Sequence, residues 1–229
     1  MTKVEERQGK KLVSDMIAGF IQRNRKGLVV CITAAFVIVA AVIAGISIRN
    51  IVERNAIGRL EALNDRYESL RFNINESAQA DDVRVLLEEL TVFADKNSAY
   101  AGSRACSLIG SIHADQKNWA DAEQAWLKAA KKGGKSYLTP AALYNAAVAA
   151  EEGGNLEKAI EHLRECISYQ NDFPAAVRAQ FTIGRLQETL RLNEDAIESY
   201  RTLIEKWPSE KVWTNLANSR IIILSGLNS

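Results

Sequence analysis

The sequence predicts an all-α protein: one N-terminal transmembrane helix, then an α-solenoid of helical hairpins, then a C-terminal capping helix. Two observations carry this. Gly27 to Ile48, GLVVCITAAFVIVAAVIAGISI, holds 22 residues without a charge, a proline or an amide side chain. From Ser103 onward, small and large apolar residues recur at a constant interval of 37 residues, the mark of a stacked helical repeat rather than of a single closed core.

The apolar run comes first. At about 1.5 Å of rise per residue a helix of this length reaches roughly 33 Å, enough for a hydrocarbon layer about 30 Å thick. An isolated segment in lipid must satisfy its own backbone, so it must be helical. Ahead of it stand Lys3, Arg7, Lys10, Lys11, Arg23, Arg25 and Lys26 against Glu5, Glu6 and Asp15, whereas Arg49 to Glu68 carries only Arg49, Arg54, Arg59 and Arg66. The excess of cations marks the cytoplasmic side. The expectation is therefore a bacterial inner-membrane protein with residues 1–26 as a cytoplasmic basic tail, 27–48 as the span and the rest in the periplasm. Val42-Ile43-Ala44 has the small-residue spacing of a signal-peptide cleavage site, but the lead-in and the apolar run are both too long for one. Lys11 to Arg23, KLVSDMIAGFIQR, places Leu12, Val13, Met16, Ile17, Phe20 and Ile21 at helical spacing, an amphipathic segment suited to the lipid interface. Within the span, Ala40, Ala41, Ala44 and Gly45 form small-x-x-x-small pairs that would admit a neighbouring helix.

After the span a helical period runs through Ile51, Ile57, Leu60, Leu63, Tyr67 and Leu70. Asn75-Glu76-Ser77 is expected to break it, and Asp81 or Asp82 to cap a second helix whose apolar face is Val83, Leu86, Leu87, Leu90 and Phe93. Residues 49–98 thus read as a helical hairpin.

The repeat follows. NWADAEQAW, NLEKAIEHL and LNEDAIESY place Ala122, Ala159 and Ala196 in register, and the same shift superposes Gly110, Ala147 and Gly184, then Trp126, Leu163 and Tyr200, then Ala129, Cys166 and Leu203. A small residue on one helix facing a large one on the next is what close antiparallel packing requires. The pattern resembles the tetratricopeptide (TPR) repeat, a helix-turn-helix unit of about 34 residues. Repeat one begins at Ser103, repeat two at Pro140 and repeat three at Val177, with three additional residues between units in KKGGKSYLTP and YQNDFP. Repeat two carries Ala147 for the usual glycine; repeat three carries Leu203 for a small residue and Asn193 for an aromatic one. Residues 99–208 form the three-repeat array, and 209–229 a terminal helix covering its end through Val212, Trp213, Leu216 and Ile221.

No glycine-rich phosphate loop, metal-ligand spacing or nucleophile elbow occurs. Cys106 and Cys166 stand apart with no C-x-x-C and read as small buried hydrophobes. His113 reads as packed and His162 as facing outward. The sequence describes a non-enzyme with no cofactor, metal or small-molecule substrate. The part after the tail carries a formal charge near −3, since the tail holds +4 of the whole chain's +1, which argues against nucleic acid. Function is then protein binding. The TPR resemblance implies a concave groove lined by the first helix of each unit: Arg104, Ser107, Ser111 and Asp115, then Tyr144, Val148 and Glu151, then Arg178, Phe181, Arg185 and Glu188.

The whole layout resembles the YfgM-like family of single-span bacterial inner-membrane proteins, through the basic lead-in ending IQRNRKG with Asn24 and Lys26, one span, a hairpin, degenerate repeats and a final helix. That resemblance implies an ancillary, chaperone-like factor at the Sec translocon, engaging emerging secreted chains or a periplasmic chaperone. The alternative is a structural scaffold in another cell-envelope machine, such as a division complex or flagellar motor ring.

Overall fold

The computed structural model of the chain describes residues 3–71, 76–97, 99–169 and 173–227. Among them are nine α-helices and no strand: α1 (Lys3–Arg71), α2 (Glu76–Lys96), α3 (Ala99–Asp115), α4 (Trp119–Gly133), α5 (Leu138–Glu152), α6 (Leu156–Ile167), α7 (Ala176–Thr189), α8 (Asn193–Lys206) and α9 (Lys211–Leu227). The chain divides into two units, Met1–Asn55 and Ala56–Ser229.

In the first unit the lead-in and the apolar run belong to one helix, interrupted only at Asn24 (φ −109°, ψ 16°). The Asn24 side-chain amide donates to the Phe20 carbonyl at 3.2 Å. Met16 and Phe20 are exposed, while the side chains of Leu12, Val13, Ile17 and Ile21 lie outside the described residues. From Val29 to Ile48 the large apolar side chains are 55–77% exposed, so nothing in the fold covers them. This helix is long and apolar enough to cross a membrane. Thr33 inside it donates to the carbonyls of Val29 and Val30 at 2.9 and 3.0 Å, so its hydroxyl needs no water.

The second unit is a TPR-like stack in which each helix from α2 onward packs on the next in order, with α3 also touching α5 and α7 touching α9. Leu60, Tyr67 and Leu70 of α1 are buried against Val83, Leu86, Leu90 and Phe93 of α2 and Ala101, Ala105 and Ile112 of α3. Ile51, with Asn50 and Arg49, stays exposed. α2 begins at Glu76, so Asp81 and Asp82 sit in its second turn and cap nothing; the helix extends further back than the acidic pair suggests. Asn75 lies outside the described residues, as do residues 170–172 of the YQNDFP segment.

Within each repeat one contact sets how close the two helices come. A β-carbon at Gly110 would lie 2.8 Å from the Trp126 ring, and one at Gly184 would lie 2.6 Å from Tyr200. Both aromatic rings are buried. In repeat two, Ala147 shares its core cluster with Leu163. Where the first helix adds a methyl, the second presents a leucine instead of a ring, which explains the alanine as volume exchange.

The turns between paired helices repeat as faithfully. Lys117 (φ 59°), Gly154 (φ 80°) and Arg191 (φ 62°) are left-handed, 37 residues apart. The following amides reach back over the turn, Asn118 to His113, Asn155 to Ala150 and Leu192 to Gln187, at 2.8, 2.8 and 2.9 Å. These bonds satisfy carbonyls at the helix end. Only one of the three positions has the residue suited to that backbone.

α9 buries Thr214, Ala217 and Leu224, residues 37 beyond the buried Val177, Gln180 and Gln187. It therefore packs as the first helix of a fourth unit. Of the covering face expected, Trp213 and Ile221 pack on the core cluster, whereas Val212 (70% exposed) and Leu216 (45%) do not, because the burial follows the repeat register. His162 is likewise turned inward: its Nε2 lies 2.9 Å from Glu123 Oε1, and both side chains are only 13% exposed. Cys106 and Cys166 are free and buried; burial pushes the Cys166 thiol up to about 12.

Two outcomes follow from this packing. Gly184→Ala is expected to destabilise the array by about 1–3 kcal/mol, and Tyr200→Leu to relieve part of that loss, so that thermal unfolding of the double variant shows less than the summed effect. Lys117→Gly and Arg191→Gly, which remove left-handed strain, are each expected to stabilise by about 0.5–1 kcal/mol; an unchanged or lowered melting temperature would contradict the turn geometry.

Candidate protein-binding groove

The first helices of successive units, α3, α5, α7 and α9, follow the terminal part of α1 along one face. Six of the expected groove residues meet in a cavity of about 270 Å³: Tyr144, Val148 and Glu151 from α5, and Arg178, Phe181 and Arg185 from α7. Besides the core residues Ala147 and Leu163, Thr182 and Trp213 complete its wall. The expectation omits both, and for Trp213 the signal was available: continuing the 37-residue register makes α9 a lining helix rather than a cover.

The cavity is lined by aromatic and charged side chains. Phe181 lies between Tyr200 and Trp213, with ring centroids 5.2 and 5.4 Å away, and Tyr144 is 6.0 Å from Phe173. Such tilted pairs hold the rings in fixed orientations. Arg185 donates to both oxygens of Glu151 at 2.8 Å, tying α7 to α5. Arg178 sits 5.7 Å over the Tyr144 ring and has no carboxylate partner among the described residues. Among the described residues it is the cation of this cavity without an ion pair.

The remaining expected residues lie elsewhere and are already engaged. Arg104 donates to Glu61 at 2.9 Å and lies 5.9 Å over the Tyr100 ring. Ser111 donates to the Ser107 carbonyl at 3.1 Å, a bond within α3. Asp115 accepts from the Tyr67 hydroxyl at 2.6 Å and pairs with Arg71 at 3.2 Å. It lines a separate cavity of about 470 Å³ with Tyr67, Arg71 and Ile112. Burial first, and then the bond to Asp115, push the Tyr67 phenol well above its ordinary value.

Glu188 faces α9. It accepts from the Tyr200 hydroxyl at 2.6 Å and from Arg220 Nε at 3.0 Å, with a second contact from Arg220 Nη2. The Arg220 guanidinium, helped by the Tyr200 hydroxyl, holds its carboxyl below the usual range despite partial burial. Glu61–Arg104, Asp115–Arg71, Glu151–Arg185 and Glu188–Arg220 thus form a series of cross-links between neighbouring first helices. These charges join one unit to the next.

Comparison with known proteins agrees with the architecture. A family model described as a domain of unknown function (DUF6340) matches residues 109–206. A curated TPR repeat-containing protein of Treponema pallidum (strain Nichols) is 36% identical over 127 residues, 56% of this chain and 52% of its own length; the chain spans about half of that relative. Two crystal structures of nearly identical TPR-like repeats from Podosopora anserina each align with a TM-score of 0.51 at 12% identity. They cover 74% of this chain and 87% and 88% of their own, a likeness of fold alone.

The Glu188 cluster sets a pH dependence. With its folded pKa depressed, Glu188 contributes stability that is complete above the ordinary glutamate pKa of about 4.3 and is lost as pH falls through the lower folded value. Glu188→Gln is expected to lower the melting temperature at pH 7, and its deficit to shrink as the pH falls below about 4. A deficit independent of pH would contradict the assignment.

Proposed function

We propose that the chain is a membrane-anchored protein-interaction scaffold whose groove between α5, α7 and α9 holds a segment of a partner protein. The observation that carries this reading is the convergence of Tyr144, Val148, Phe181 and Trp213 around one cavity, with the unpaired Arg178 at its edge. An apolar side chain seated among fixed rings provides the buried anchor of an interface. Arg178, already against a ring, can accept a carboxylate without breaking an existing ion pair. The favoured occupant is an extended or helical segment with an apolar residue followed by an acidic one.

The finer reading places the domain in the periplasm, tethered by the single span with the N-terminus in the cytoplasm. There it acts as an ancillary, chaperone-like factor at the Sec translocon, on emerging chains or a periplasmic chaperone. The cation-rich lead-in and the arrangement of span, hairpin and repeats support it. The competing role, a fixed part of another envelope machine, draws support from the paired charges along the concave face, which leave few polar groups free for exchangeable partners.

A photo-crosslinker at Val148, which is exposed and outside the ion pairs, tests these readings in cells. Translocon subunits, secreted chains or a periplasmic chaperone are the expected products, reduced about tenfold by Arg178→Glu. A stoichiometric assembly lacking translocon components would select the structural role. Capture that ignores Arg178→Glu would remove the groove as the binding site.

A further inference from the structure

Helix direction sorts charge to the two ends of the second unit. α1 and α3 run the same way, as Glu61–Arg104 and Arg71–Asp115 show, and α2 and α4 run back. The start of this unit at Ala56 therefore lies at the end where α2 and α4 finish. Arg59 lines a cavity with Lys96 and Asn97, and Lys132 donates to the Asn97 carbonyl at 3.1 Å. Around this corner gather Arg59, Lys96, Lys128, Lys131, Lys132 and Lys135. The carboxylate among them, Asp95, is bonded to Lys128 at 2.8 Å. The neighbouring acids Glu61, Glu88 and Glu89 are paired with Arg104, Arg84 and Arg66. Further along the same edge, Lys206 and Lys211 are offset by Glu205 and Glu210, so the cationic excess is confined to the corner next to Ala56. The opposite end holds Asp121, Glu152, Glu157, Glu194 and Asp195 against Lys117, Lys158 and Arg191.

We propose that this basic corner is a lipid-facing surface that rests on the anionic headgroups of the membrane in which the chain is anchored. The proposal depends on Gly27 to Ile48 spanning a bilayer. The last residue of that run, Ile48, is eight residues before Ala56. Even fully extended, eight residues span no more than about 28 Å, and as a helix about 12 Å. A tether of that length lets this cationic surface reach the sheet of phosphates, and within a Debye length of about 8 Å its lysines attract anionic lipid. Nucleic acid fits less well, because the acidic opposite end and the acidic balance of the domain repel it. The contact would fix how the groove is presented: the corner sits on the membrane side, and the acidic turns of α3–α4, α5–α6 and α7–α8 point away from it.

The test uses the full chain in lipid nanodiscs and a water-soluble amine-acylating reagent, with labelling read residue by residue by mass spectrometry. Lys117, in the α3–α4 turn at the acidic end, is the reference within the same molecule. In discs containing phosphatidylglycerol, the labelling of Lys131 and Lys135 relative to Lys117 is expected to fall about fivefold and to recover at high salt. In phosphatidylcholine discs the ratio should stay high, with or without added inorganic phosphate. Lys96→Glu with Lys135→Glu, both exposed and outside the ion pairs, should abolish protection of Lys131 without changing the melting temperature. Equal ratios in the two lipids, or protection of Lys131 that survives the double substitution, would overturn the proposal. A chain that does not enter the discs removes the span, and the proposal with it.

Discussion

The second unit depends on one contact repeated three times: a small residue on the first helix of each pair against a large one on the second. Gly110 under Trp126, Ala147 with Leu163 and Gly184 under Tyr200 fix how closely the helices approach. Because each helix touches mainly its neighbours, no central core compensates when one such contact is lost. Stability is then close to a sum of unit and interface terms. The exchange of glycine and ring for alanine and leucine in repeat two is permitted because the combined volume of the pair is what the packing constrains.

A second set of contacts ties neighbouring first helices together, and it limits which charges the proposed groove can offer a ligand. An arginine bonded to both oxygens of a glutamate on the next helix is not free to capture a ligand carboxylate, and breaking that pair would leave a partly buried charge exposed to a poor environment. Under the proposed binding role, selectivity would fall to aromatic side chains and to Arg178, which rests on Tyr144 instead of on an acid.

Much of this was legible in the sequence, and the reason is periodicity. The all-α class, the paired helices and their stacking follow from the 37-residue register, because small and large residues recur only where packing demands them. Six of the eleven expected groove residues share one cavity for the same reason. What the sequence concealed depends on partners far along the chain. Arg104 meets Glu61 across 43 residues and Arg220 meets Glu188 across 32, and no local pattern marks either pair. Lys117 and Arg191 take a left-handed backbone that their residue types do not advertise, and only Gly154 hints at it. The inward turn of His162 depends on Glu123, 39 residues away, and the orientation of α9 follows the repeat register and not its apolar content.

α9 has one further consequence. It is packed on one side only, with Val212, Leu216, Ile222 and Ile223 exposed, so it is the helix of the array most prone to fraying. Yet it supplies both Trp213, a wall of the groove, and Arg220, the partner of Glu188. The order of the chain's end and the occupancy of the groove are therefore thermodynamically linked: a segment bound against Trp213 draws α9 onto the stack, and melting of α9 removes one side of the site. On the proposed reading, the groove's affinity would include the free energy of ordering its own far wall, and whatever covers the open side of α9 would tighten binding without touching the ligand.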